Sequence, residues 1–192
     1  MNVEPVLGPL RQMGAPFALI GAHAMAARGY PRFTIDIDLL TPDTRVLEPE
    51  RWHTLVAAGA RVDVRRGDAD DPLAGVVHVL LPDGTDVDLV VARWKWEAAI
   101  IARAEPLDVA GSTIPVPRTS DLILLKLAAG GHSDLHDAGA LLALGDAEHT
   151  IVEVESHVDE VRPDIRPLWR ALLAERAAPR PEPPGRSDED ET

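Results

Sequence analysis

Two pairs of aspartates constrain the fold most tightly. In RFTIDIDLL, residues 32–40, Asp36 and Asp38 alternate with Ile35, Ile37 and Leu39; in TDVDLVV, residues 85–91, Asp86 and Asp88 alternate with Val87 and Leu89. Successive side chains on a strand point to opposite faces. The spacing therefore predicts two strands, each apolar on one face and acidic on the other, with Thr34 and Leu40 sharing the acidic side of the first. Carboxylates converging to about 5 Å repel by about 3 kcal/mol at an effective dielectric of about 20. Something positive should sit between them, either a basic side chain or a divalent cation with hard oxygen ligands.

Composition narrows the class. The 192 residues include no cysteine, which excludes disulfides, thiolate metal sites and thiol nucleophiles. A reducing cytoplasm is the natural compartment. The first 16 residues lack the pattern of a secretory leader, and no apolar run approaches the length of a membrane span, so no membrane partner is expected. Nineteen basic against 32 acidic residues give a net charge of −13, which argues against a broad basic surface for nucleic acid. We expect an α/β (α+β) core over residues 1–117, a helical C-terminal part over 118–177 packed on it, and a disordered acidic, proline-rich tail over 178–192.

Residues 17–21 read as a short strand ending at Gly21, and residues 22–28 as a helix. After the first acidic strand come a helix over 43–58, a strand at 61–66, a hairpin across 75–92 turning at Pro82-Asp83-Gly84, and a helix over 95–104. The segment GSTIPVPR, residues 111–118, is extended, and its prolines suit a sheet edge. A nearly all-apolar helix capped by Thr119 or Ser120 runs to Gly130-Gly131, and a second helix follows. Val161, Ile165, Leu168, Trp169, Leu172 and Leu173 recur at helical spacing.

The two acidic strands can build a divalent-metal site from Asp36, Asp38 and one of the second pair. At Gly21, where a strand gives way to a helix, backbone N–H groups can receive a phosphate. His132 and His136 are four apart, but no H-E-x-x-H pattern accompanies them, so zinc is not expected. For His23, Trp94 and Trp96, packing is the favoured reading over contact with a nucleotide.

The ordered set LIGAHAMAARGYPRFTIDIDLL resembles the signature of the polymerase-beta-like nucleotidyltransferase superfamily, in which a glycine turn and short helix precede an acidic strand and a third carboxylate lies on a later strand. Arg32, Thr34, Asp36 and Asp38, with Lys126, Asp134 and Asp137 in LILLKLAAGGHSDLHDAGAL, are similar to the small AbiEii-like nucleotidyltransferases of abortive-infection and toxin–antitoxin systems. The resemblance covers residues 17–145. Two departures stand out: Ala22 replaces the usual serine or glycine after Gly21, and Gly130-Gly131 replaces an arginine.

The resemblance implies a nucleotidyltransferase-type mixed β-sheet flanked by helices. It also implies a Mg²⁺-dependent transfer of NMP from an NTP to a hydroxyl of an RNA, protein or small-molecule acceptor. Asp36, Asp38 and Asp88 would bind two Mg²⁺ ions, with Asp88 also the general base. Asp88 is chosen over Asp86 for its VDLV-like context; Asp86 is then a supporting residue or a solvated hairpin acid. Gly21, Ala22, Arg32, Thr34, Lys126, Asp134 and Asp137 would line the nucleotide site. Lys126 either contacts the triphosphate or pairs with Asp134, and Arg32 either neutralises the acids or meets a phosphate. A toxin-type role with a cognate antitoxin partner is one implied setting. The alternative is a weak or inactive relative acting as an antitoxin or regulatory binding partner, and a third reading is resistance-type modification of a small cationic drug.

Overall fold

The computed structural model describes residues 2–178; the expected tail beyond them lies outside the described residues. Its centre is a five-stranded mixed sheet in the order β1-β2-β5-β4-β3, built from β1 (Ala18–Ile20), β2 (Asp36–Thr41), β3 (Arg61–Arg66), β4 (Gly75–Leu80) and β5 (Asp86–Val91). Strands β2 and β5 are parallel, and every other pair in the sheet is antiparallel. This is the mixed α/β architecture with a helical C-terminal region expected from the sequence.

The alternation of residue types dictates what each face does. Ile37 and Leu39 of β2, Val87, Leu89 and Val91 of β5, and Val77 and Val79 of β4 are buried and join one cluster with Val6, Leu7 and Leu10 of α1 (Glu4–Met13). The opposite face changes character along its length. It carries Asp36, Asp38, Asp86 and Asp88 at the N-terminal ends of β2 and β5, then Leu40 and Val90, which pack with Ile101 and Leu125. Ile101 belongs to α4 (Lys95–Ala102) and Leu125 to α5 (Thr119–Ala129), so these helices leave the acidic end of the face open.

Local chemistry explains where the elements differ from expectation. The first acidic strand begins only at Asp36: Phe33 and Ile35 are 89% and 73% exposed, so Ile35 does not share the buried face of Ile37. The expected helix over 43–58 is three pieces, two 3₁₀ turns (Thr44–Leu47 and Pro49–Trp52) followed by α3 (His53–Ala57). Pro49 cannot donate the hydrogen bond that would continue the first turn, so it starts the second. GSTIPVPR supplies β7 (Ser112–Val116), an edge strand as expected, which pairs with β6 (Glu105–Val109) in a separate two-stranded sheet. Trp94 precedes α4 as its N-cap, and Trp96 lies in its first turn.

Helix α1 escapes a reading based on periodicity because Pro5, Gly8 and Pro9 interrupt it. Pro5 is tolerated in the first turn, where N–H groups have no intrahelical partner. Helix α2 spans Gly21–Ala27, and α5 ends at Gly130, whose left-handed φ of 70° lets the chain turn into α6 (His132–Leu142). The last apolar stripe is divided between α7 (Ala147–Val161) and α8 (Ile165–Ala177), with the break at Pro163. Trp169 of α8 is fully buried and donates from Nε1 to Glu155 Oε1 at 2.7 Å, locking α8 to α7. Among the described residues no helix is long and apolar enough to cross a membrane.

Replacing Trp169 by alanine removes a large buried ring and leaves the Glu155 contact unmade. It is expected to cost about 3–5 kcal/mol, read as a lower urea midpoint.

Candidate active site

Strand register brings the acids together. In the parallel β2–β5 ladder Asp36 lies opposite Asp86, and Asp38 opposite Asp88. Neighbouring strands are about 4.8 Å apart, so four carboxylates occupy one corner of the sheet. The antiparallel β4–β5 ladder adds His78 opposite Asp88. His78 Nδ1 donates to Asp88 Oδ1 at 2.9 Å and lies 3.3 Å from Asp86 Oδ1. The latter oxygen is buried without a hydrogen bond. The Asp88 hydrogen bond, helped by the charges of Asp86 and Asp88, raises the His78 pKa above its ordinary value.

Asp38 bears the strain of the cluster. Burial, then the charges of Asp88 and Asp36, push its carboxyl up to about 6, with Lys126 acting in the opposite sense. The chain leaves it room through Gly21, whose φ is 65° and where an added Cβ would fall 2.0 Å from Asp38 Oδ2. Gly21 therefore meets two demands at once, a left-handed backbone and a close approach to the carboxylate. Ala22 beside it is buried.

The second predicted group forms a separate, connected network. Lys126 Nζ contacts Asp134 Oδ1 at 2.8 Å and Asp137 Oδ2 at 2.9 Å. Arg32 Nη1 donates to the same Asp137 oxygen at 2.6 Å. Lys126 makes the pairing with Asp134, and Arg32 pairs with Asp137 rather than with the acids of β2. Although burial opposes the charged ammonium, its two carboxylate partners raise the Lys126 pKa overall. Thr34 Oγ1 donates to the Asp36 carbonyl at 3.4 Å. His23 is half-buried, and desolvation lowers its pKa. His132 and His136 are exposed.

Among the described residues no group of three or more His, Asp or Glu side chains already surrounds one point as metal ligands do. The donor chemistry nevertheless suits a divalent cation. It offers hard carboxylate oxygens on adjacent strands, one carboxyl driven toward protonation by its neighbours, and one buried oxygen without a partner. A cation bridging Asp36, Asp38 and Asp88 after side-chain rotation would offset the charges that drive Asp38 toward protonation, while the unpartnered oxygen, that of Asp86, lies beside this trio.

His78 joins the site without belonging to either aspartate pair. The sequence carries its signal: a hairpin turning at residues 82–84 sets 78 opposite 88, so a histidine on the acidic face of β4 follows from register alone.

No protein-family model matches the sequence, and no match was found among curated proteins. Solved structures do match. The antibiotic-resistance factor ANT(2″)-Ia in solution aligns over 91% of this chain and 94% of its own, with a TM-score of 0.54 at 20% identity. A Thermotoga maritima protein assigned as a candidate nucleotidyltransferase aligns over 67% of this chain and 82% of its own, with a TM-score of 0.50 at 16% identity. The chain thus has a nucleotidyltransferase-type fold.

The strain on Asp38 has a measurable consequence. Its pKa is raised in the folded state from the usual 3.8 to about 6, so the protonated form folds more favourably. That contribution is complete below about pH 4 and is lost as pH rises through about 6. Asp38→Asn should be more stable than the parent at pH 7 by about 1–3 kcal/mol, with the difference vanishing near pH 4. Paired urea titrations at the two pH values check this.

Proposed function

We propose that the chain is a nucleotidyltransferase that moves NMP from an NTP to an acceptor hydroxyl. The observation that carries the reading is the placement of Asp36, Asp38 and Asp88 at one open corner of a sheet with a nucleotidyltransferase-type fold, beside a glycine that leaves room for the Asp38 carboxylate. Asp36, Asp38 and Asp88 would hold two Mg²⁺ ions. Bound there, the ions supply positive charge to the triphosphate and the departing pyrophosphate.

The chain's own groups do the rest. The backbone N–H groups at Gly21 and Ala22 would receive the phosphates, and the missing side chain of Gly21 leaves Asp38 its place beside them. Asp88 takes the proton from the attacking hydroxyl, and His78 keeps that carboxylate oriented through its hydrogen bond. Lys126, tied to Asp134 and Asp137, lends its positive field to Asp38 and, with Arg32, holds residues 30–35 against the helical part.

The similarity of Arg32 to Asp38 and of Lys126 to Asp137 to the AbiEii-like proteins supports a toxin–antitoxin or abortive-infection setting with a cognate protein partner. The missing hydroxyl at Ala22 and the engagement of Lys126 by two carboxylates favour, as the second reading, an inactive relative that acts by binding such a partner.

The test is pyrophosphate release from each of the four NTPs with Mg²⁺ and cell extract as acceptor source. Asp36→Asn and Asp88→Asn should each lower the rate by about 100-fold or more. Full activity in both variants contradicts the proposal, and absence of turnover by the parent alongside capture of one neighbouring protein supports the second reading.

A further inference from the structure

A cleft of about 490 Å³ opens beside Asp88, over β4 and β3 on the face of the sheet that carries the acids. Asp63, Asp71, Leu73, Val76, His78 and Asp88 contribute to its lining. Its volume falls within the range of small-molecule sites, about 300–1,000 Å³.

The outer wall, residues 67–74, is built rather than loose. Arg93 donates from Nη1 to the Ala69 carbonyl at 3.2 Å and from Nη2 to the carbonyls of Leu73 at 3.0 Å and Asp68 at 2.5 Å. Gly67 N donates to the Ala74 carbonyl at 3.0 Å, and the Asp70 and Asp71 N–H groups donate to Asp68 Oδ1 at 2.9 and 3.2 Å. A wall held this way orders little on binding, which favours a ligand that fits the existing shape.

The charge of the lining selects further. Its two arginines are directed away from Asp71 and Asp88: Arg65 Nε pairs with Asp63 Oδ2 at 2.7 Å, and Arg66 Nη2 donates to the neutral Leu47 carbonyl at 2.8 Å. Among the described residues Asp71 meets only a backbone N–H, that of Asp68 at 2.8 Å. Asp88 shares its one histidine with Asp86. Among the described residues neither Asp71 nor Asp88 is paired with an arginine or lysine, so each carboxylate is available to a ligand.

Resting on the nucleotidyltransferase reading, we infer that this cleft seats the acceptor, and that the acceptor is a small hydroxylated molecule bearing a positive group rather than a polymer. Its cation lies toward Asp71 and its hydroxyl toward Asp88. In the transfer, the hydroxyl oxygen forms a bond to the α-phosphorus while the bond from that phosphorus to the bridging oxygen breaks. The pyrophosphate leaves with the electron pair, and the hydroxyl proton passes to Asp88.

Calorimetric titration without nucleotide isolates the cleft from turnover. The probes are neamine, a two-ring amino sugar, and trehalose, a neutral two-ring sugar. The parent should bind neamine at least about tenfold more tightly than trehalose. Val76→Phe, which fills the cleft, and Asp71→Asn, which removes its outer charge, should each weaken neamine about tenfold; binding of Mg²⁺-ATP to each variant serves as the folding control. Equal or undetectable binding of the two sugars by the parent overturns the inference. So does neamine affinity unchanged in both variants, or NMP label transferred to a short RNA with a free 3′-hydroxyl at the same rate by the parent and Val76→Phe. Selective neamine binding without pyrophosphate release from any NTP upholds the cleft and counts against the transferase reading alone.

Discussion

Repulsion among four carboxylates is the constraint on which the site depends. Asp36 and Asp38 face Asp86 and Asp88 across a parallel ladder whose opposite face is packed with valine, leucine and isoleucine. That apolar face fixes the register, because a slip of one residue would bury the acids and expose the core. The stability of the hydrophobic layer thus holds together a polar arrangement that is unfavourable by itself. Asp38, the carboxyl most displaced from its ordinary titration, sits where the chain has withdrawn even a Cβ.

Compensation comes from groups at the margin of the cluster. His78 bridges the β5 pair from one side, and the field of Lys126 reaches Asp38 from another. Lys126 is itself held by Asp134 and Asp137, and Asp137 also anchors Arg32 from the segment that leads into β2. The helical C-terminal part is therefore connected electrostatically to the strand that carries the first two acids. Substitution at Asp137, which is nearly fully buried, would leave two cations without a shared partner.

Much of this was legible in the residues because period-two alternation reports strands directly. IDIDL and DVDLVV specify both the acidic and the apolar faces, and the hairpin turn at residues 82–84 aligns β4 with β5. Less legible was whatever depends on tertiary context. Pro5 and Pro9 conceal α1, whose stability comes from burying Val6, Leu7 and Leu10. Pro49 divides a segment that otherwise has helical spacing, and Ile35 looks like a strand residue although the ladder starts one residue later. The cleft wall at residues 67–74 has no periodic signal, because Arg93, 20 residues from Leu73, determines its shape through hydrogen bonds to carbonyls.

The central claim is that these carboxylates form a cation site adjoining bound nucleotide phosphates. Anomalous diffraction from crystals grown with Mn²⁺ and a non-hydrolysable NTP analogue tests it most directly. Manganese peaks are expected within about 2.5 Å of carboxylate oxygens of Asp36, Asp38 and Asp88, with the phosphate chain lying against Gly21. Nucleotide density elsewhere on the molecule, or manganese absent from that corner while nucleotide is bound, would contradict it.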